Sequence, residues 1–130
     1  MKIKKIVPLL LIFFSAFLFT AKMGLAEEKD PLKLAPNIYS LLFENERVRV
    51  ADIHFKPGDK IAMHSHPDHI LYILSEGKIK LTYPDGNFKE VEAEPGRVMW
   101  SNAESHASEN VGTTEFHAVI VELKEEKPQG

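Results

Sequence analysis

His64-Ser65-His66-Pro67-Asp68-His69 sets three imidazoles within six residues, and a fourth, His106, follows about forty residues later with Asn110 four positions beyond it. Neutral imidazole is the commonest protein ligand for zinc, iron, nickel and copper, so this pattern points to one metal site. If residues 61–66 form a strand, His64 and His66 project from the same face, because strand side chains alternate with a period of two. Pro67-Asp68 bends the chain, and the apolar run Ile70–Leu74 opens a second strand with His69 at its mouth, where the ring can turn toward the first two. A distant histidine such as His106 completes the shell once the sheet folds back. The candidate ligands are therefore His64, His66, His69 and His106, with His69 also a candidate catalytic acid or base. The ion they imply is a divalent transition metal, Fe(II) or Zn(II) first, with Mn, Ni or Cu as further candidates.

The elements that must position these rings are short strands. Pro57-Gly58-Asp59, Pro67-Asp68, Ser75-Glu76-Gly77, Pro84-Asp85-Gly86, Pro95-Gly96, Ser101-Asn102 and Val111-Gly112-Thr113 mark turns at intervals of roughly ten residues. Between them Arg47–Phe55, Ile70–Leu74, Lys78–Tyr83, Phe88–Val91, Val98–Trp100 and Glu115–Leu123 are rich in Val, Ile, Phe, Tyr and Trp. No segment after residue 43 reads as a helix. Regular short strands with Gly/Pro turns predict an antiparallel sandwich or barrel with apolar inner faces. Ile79, Leu81 and Tyr83 share the face expected to be inside, and Lys78, Lys80 and Thr82 the other. In the last strand Glu122 shares a face with Phe116, Ala118 and Ile120, while His117 aligns with Val119, Val121 and Leu123; the pattern leaves open which face is inner. Trp100, Tyr72 and Tyr83 read as packing residues, and Asn110 as a structural amide that holds the loop presenting His106.

The chain has 130 residues, enough for one domain with a single modest core. Lys2, Lys4 and Lys5 precede an apolar run from Ile6 to Thr20, and Gly24-Leu25-Ala26 offers small residues for cleavage, so residues 1–26 read as a signal peptide and the protein as secreted or periplasmic. An uncleaved membrane anchor is the competing reading. Removal of residues 1–26 takes four lysines and no acid, leaving 12 basic against 19 acidic residues over 104 positions and a net charge of −7. An acidic domain with no basic patch argues against nucleic acid as a partner and weakens any case for anionic lipid, so no membrane partner is expected after cleavage. With no cysteine, neither disulfides nor thiolate ligands hold the domain together. Residues 27–36, charged and bearing Pro31 and Pro36, read as an N-terminal arm; 37–124 as the folded domain; and 125–130 as a frayed tail.

The segment Gly58-Asp59-Lys60-Ile61-Ala62-Met63-His64-Ser65-His66 resembles the opening of the first motif of the cupin superfamily, G(X)5HXH(X)3,4E(X)6G, in residue type and spacing. Tyr72-Ile73-Leu74-Ser75-Glu76-Gly77 resembles its end. Where the glutamate of that motif belongs, three residues before the tyrosine, this chain has His69, after a turn one residue shorter. Gly96, His106 and Asn110 resemble the second motif, G(X)5PXG(X)2H(X)3N, although Ser101 and Ala103 replace its inner proline and glycine. The resemblance covers roughly residues 38–123 and implies an all-β jelly-roll barrel, a double-stranded antiparallel β-helix, with His64, His66 and His106 at metal-ligand positions. Loss of the carboxylate leaves such a centre one unit more positive, which favours an anionic substrate or a bound hydroxide.

Two functions follow. One is an exported metal-dependent enzyme, an Fe(II) dioxygenase acting on a small organic molecule, with His69, Arg49 and the tyrosines as the groups available for acid/base work or substrate anchoring. The other is a non-catalytic metal or small-ligand binding module, in which four imidazoles close a tetrahedral shell. His54 and His117 match neither motif and read as hydrogen-bonded core or surface histidines, with His117 supporting a ligand if its face is the inner one. A homodimer is expected, because a short barrel leaves edge strands to cover.

Overall fold

The computed structural model describes residues 29–125; the expected signal peptide and nearly all of the expected tail lie outside them. One helical turn, α1 (Pro31–Leu34), precedes nine strands: β1 (Tyr39–Glu44), β2 (Val48–Phe55), β3 (Lys60–His66), β4 (His69–Ile73), β5 (Gly77–Thr82), β6 (Phe88–Ala93), β7 (Val98–Ser101), β8 (Glu104–Asn110) and β9 (Phe116–Leu123). They form two antiparallel sheets, a five-stranded one in the order β1-β2-β9-β4-β7 and a four-stranded one in the order β3-β8-β5-β6. Every strand expected from the turn punctuation is present. Two were not expected from it: β1, and β8, whose sequence Glu-Ser-His-Ala-Ser-Glu-Asn carries no large apolar residue.

Alternation decides which side chains meet inside. Along β9, Phe116, Ala118, Ile120 and Glu122 are buried while the odd positions are half-buried, so the even face is the inner one and His117 points outward. The apolar core gathers Ile53, Phe55, Ile61, Ile73, Phe116 and Ile120 between the sheets. In β3 both Ile61 and His64 are buried although they stand three apart, a spacing that simple alternation forbids. The β3–β8 register shifts between those two residues, and the extra residue lets a core side chain and a histidine share one face. The turns behave as their sequences demand: Gly58 and Gly96 follow prolines and adopt φ of +83° each, a region an L side chain rarely enters.

Residues 30–36, within the segment read as an N-terminal arm, pack against the fold and contribute Ala35 to its core. Asp30 caps α1 by accepting from the Leu32 amide at 3.1 Å, Pro31 occupies the first helical turn, and Pro31 and Ala35 are buried. The Lys29 carbonyl accepts from the Ser65 amide at 2.9 Å, covering the outer edge of β3. Charge and proline, read as signs of an arm, are here the ingredients of a capped turn. Asn110 is structural as expected. Its buried amide donates to the carbonyls of Phe55 (2.7 Å) and Thr114 (2.9 Å) and accepts from the Gly112 amide (3.0 Å). Trp100 and Tyr72, by contrast, lie exposed on the outer face of the five-stranded sheet and pack no core.

Candidate metal centre

His64 and His66 leave β3 on the same side, and His106 stands directly opposite His64 in the β3–β8 ladder. The three rings are buried and meet edge-on or tilted, with centroids 4.7 Å apart for His64–His106, 4.9 Å for His64–His66 and 5.3 Å for His66–His106. One nitrogen from each lies within 4.8 Å of the other two. His69, the first residue of β4, is also buried, its centroid 5.0 Å from that of His66. It borders the compact set of three nitrogens without joining it.

The tautomers follow from what holds each ring. His64 Nδ1 donates to the Ala62 carbonyl at 2.8 Å, within the bulge, and His69 Nδ1 donates to the Pro67 carbonyl at 2.8 Å. His66 Nδ1 lies 2.7 Å from Glu122 Oε1. In each case the opposite nitrogen, Nε2, is left with its lone pair. His64 Nε2 and His106 Nδ1 are buried without any hydrogen-bond partner. Glu104 Oε1 approaches the latter to 3.2 Å but lacks the alignment of a hydrogen bond. An unpartnered buried polar atom costs about 1–3 kcal/mol, and a cation held by the three rings would satisfy His64 Nε2, whose Nδ1 is already committed to the Ala62 carbonyl. The residues present therefore fit a divalent transition metal.

Electrostatics favour the neutral rings that ligation needs. Burial, and the neighbouring His66, push His64 down to about 4, against the buttressing of the Ala62 carbonyl. Burial and the crowding of His64, His66 and His69 push His106 down to about 3. His69 is lowered as well, chiefly by burial. Glu122, which the sequence alone assigns to a face of β9 but to no role, is the carboxylate behind His66. Burial alone would raise its pKa. Hydrogen bonds to His66 and to Arg49, whose Nε is 2.7 Å away, outweigh that and hold it ionised below the usual range. A histidine that donates one ring nitrogen to a carboxylate is fixed in orientation and made a better ligand through the other. The signal was available in the sequence as a lone acid within an apolar stripe.

Arg49 is consumed by this arrangement. Its guanidinium bridges Glu122 at 2.6 Å and Asp30 at 2.8 Å, so it anchors the N-terminal turn to β9 and is not a substrate-anchoring group. His117 and His54 lie on the outer face and do not support the cluster. Tyr83 sits beside His106 at 6.5 Å, and Tyr39 beside His66 at 6.3 Å. The cluster opens on a cavity of about 110 Å3 between the sheets. His66, His69, His106 and Glu104 form a polar section of its wall, and Phe55, Ile61, Ile73 and Phe116 belong to an apolar one.

A family model described as "Cupin domain" matches residues 51–122, and the chain belongs to that family. Among solved structures it is similar to a cupin domain from Bordetella pertussis Tohama I, with 28% identity over 68% of this chain and 93% of that one and a TM-score of 0.63. It is also similar to a protein with a double-stranded β-helix domain from Klebsiella pneumoniae, with 25% identity, 65% and 69% coverage and a TM-score of 0.53. A cupin superfamily protein from Desulfitobacterium hafniense shares the fold at 20% identity, 68% and 77% coverage and a TM-score of 0.53. No curated protein matches the chain.

Two outcomes follow from the site. Glu122→Gln should keep the fold and lower metal affinity about 10- to 100-fold by titration calorimetry, and unchanged affinity would remove the carboxylate from this role. In the metal-stripped protein the depressed values of His64 and His106 mean that the unfolded chain, titrating near 6.5, binds more protons than the folded one below that pH. Their contribution to stability is present above about pH 6.5 and is lost as the pH falls toward 4 and then 3, on the order of 3 kcal/mol for each ring by about pH 4. Urea unfolding across that range checks it, and a flat profile for the stripped protein would contradict it.

Proposed function

We propose that this chain is an exported cupin whose His64, His66 and His106 hold a divalent transition ion, Fe(II) foremost, and that it acts as a dioxygenase on a small organic substrate taken into the barrel cavity. The observation that carries this reading is the convergence of three imidazole nitrogens, two of the cluster's nitrogens being buried and unpartnered, on an otherwise largely apolar cavity. An ion held by three neutral imidazoles supplies Lewis acidity and redox chemistry with coordination positions open to substrate and dioxygen. The chain's own residues do the rest. Glu122 orients His66 through its Nδ1. His69, tied by Nδ1 to the Pro67 carbonyl and kept neutral by burial, holds a free lone pair at Nε2 and serves as the acid/base beside the substrate. The apolar wall excludes water and favours an apolar substrate body, while a ligand set without a carboxylate leaves the full positive charge to attract an anionic group.

One observation favours the alternative, a non-catalytic binding module. His69 is close enough to His66 that a modest ring movement would make it a fourth ligand and close the shell. The export reading rests on the basic and apolar character of residues 1–26. A homodimer is supported by Tyr72, Val98 and Trp100, which cluster on the outer face beside the edge strand β7, with Val98 63% and Trp100 55% exposed.

Elemental analysis of the protein expressed as the full chain should find about one transition-metal ion per chain more than in His64→Ala/His106→Ala. In the Co(II)-substituted protein, azide should change the visible spectrum, as an open position requires. A closed tetrahedral spectrum indifferent to anions would sink the enzyme reading and leave the binding module. The dimer is tested by sedimentation: Val98→Glu/Trp100→Glu should dissociate it, and a wild-type protein that sediments as a monomer would refute it.

A further inference from the structure

The outer face of the five-stranded sheet carries a second cluster. His54 of β2 and His117 of β9 are direct cross-strand partners, and their rings stack with centroids 4.0 Å apart at 21°. Asp52 lies two residues before His54 on the same face. Its Oδ1 is 2.7 Å from His117 Nε2, and its Oδ2 is 3.1 Å from His54 Nε2. Glu115 Oε1 stands 2.7 Å from His54 Nδ1. A nitrogen of each ring and an oxygen of Asp52 all lie within 4.8 Å of one another.

Protons or a metal ion can satisfy these atoms, and the geometry accommodates either. With Nδ1–H of His54 donated to Glu115, His54 Nε2 presents a lone pair toward a carboxylate oxygen, and two lone pairs at 3.1 Å repel unless positive charge lies between them. The same carboxylate faces the second ring at 2.7 Å. One proton supplies that charge where no metal is bound: a doubly protonated His54 donates to both Glu115 and Asp52, while a neutral His117 donates its Nε2–H to Asp52, so a divalent ion competes with protons for the same three atoms. A single divalent ion satisfies both nitrogens and the carboxylate together. Two imidazoles and a carboxylate are a donor set for zinc, copper or nickel, and the carboxylate behind His54 fixes its ring as Glu122 fixes His66. The ligands need no loop to order, since the β2–β9 ladder already holds them.

We propose that Asp52, His54 and His117 form a second, solvent-facing site for a divalent transition-metal ion of the zinc, copper and nickel class, with Glu115 orienting His54. The side chains are accessible: His54 is 46% and His117 32% exposed. The sheet separates this site from the barrel cluster, because inward and outward side chains of β9 alternate. It stands whether or not the barrel centre binds metal.

The test titrates the full chain with Zn(II) and Cu(II) by calorimetry and follows Cu(II) by EPR. Four forms are compared: wild type, His54→Ala/His117→Ala, His64→Ala/His106→Ala, and Asp52→Asn. Removing the outer pair should lower the bound metal by about one ion per chain and delete one nitrogen-ligated Cu(II) signal, with circular dichroism unchanged because the residues are on the surface. Asp52→Asn should keep the ion but weaken it about tenfold or more. The His64→Ala/His106→Ala chain, if folded, should retain the outer ion. Equal stoichiometry and identical EPR spectra for wild type and His54→Ala/His117→Ala would overturn the proposal, whatever the occupancy of the barrel centre.

Discussion

Glu122 is a carboxylate at 3% exposure inside a small barrel, and an ionised group there costs several kcal/mol of desolvation unless it is paired and hydrogen-bonded. Its partners set the geometry of much of the domain. Arg49 reaches it from β2, His66 from β3 in the opposite sheet, and through Arg49 the charge continues to Asp30 at the cap of α1. One buried acid thus joins the two sheets and fastens the N-terminal turn. Removing Arg49 would leave a buried charge underpaired, and removing Glu122 would leave the guanidinium with Asp30 alone; the network is therefore a device for uniqueness of arrangement more than a source of net stability.

The same carboxylate completes the electrostatics of the site. The family motif that residues 58–77 resemble places a glutamate among the ligands, and this chain has His69 there. A negative charge is nevertheless present, one imidazole removed, behind His66. The carboxylate nearest the cluster's rings on β9 thus supports His66 through its Nδ1. An ion held there would have no carboxylate in direct contact, while Glu122 fixes the orientation of the His66 ring. Burial does the complementary work by keeping His64, His69 and His106 neutral, so the centre is prepared for a cation and closed to protons over the physiological range.

Strand alternation makes His64 and His66 legible in the sequence, since it needs only a local period. The turn residues make most strands legible for the same reason. His106 is different: Glu104–Asn110 has no apolar period to mark it as a strand, so its candidacy rests on residue type and on the resemblance of its spacing to a family motif rather than on a local period. What buries β8 is its place between β3 and β5, a non-local fact. The bulge between Ile61 and His64 is invisible for a related reason, because alternation read backward from His64 puts Ile61 outside. Glu122 can be assigned to a face but not to the inside, since an apolar stripe occupies both faces of β9. The N-terminal turn is easily misread because Asp30 and Pro31 mean a solvated leader or a capped helix according to what lies beside them.

The β2–β9 ladder shows how tightly these features are linked. Arg49 stands opposite Glu122 near one end, pointing in; His54 stands opposite His117 near the other, pointing out. A slip of one residue would exchange the faces and put the histidines into the core. A slip of two would keep the faces but part both pairs at once, leaving Glu122 without its guanidinium. The valines, isoleucines and alanines between them tolerate a two-residue slip with little change in apolar burial, so the hydrophobic pattern chooses the face and the polar pairs choose the register. With Arg49 and Glu122 held in place, His66 receives its carboxylate, so one strand alignment sets both the outer pair and the support of a barrel cluster that the β3–β8 register assembles.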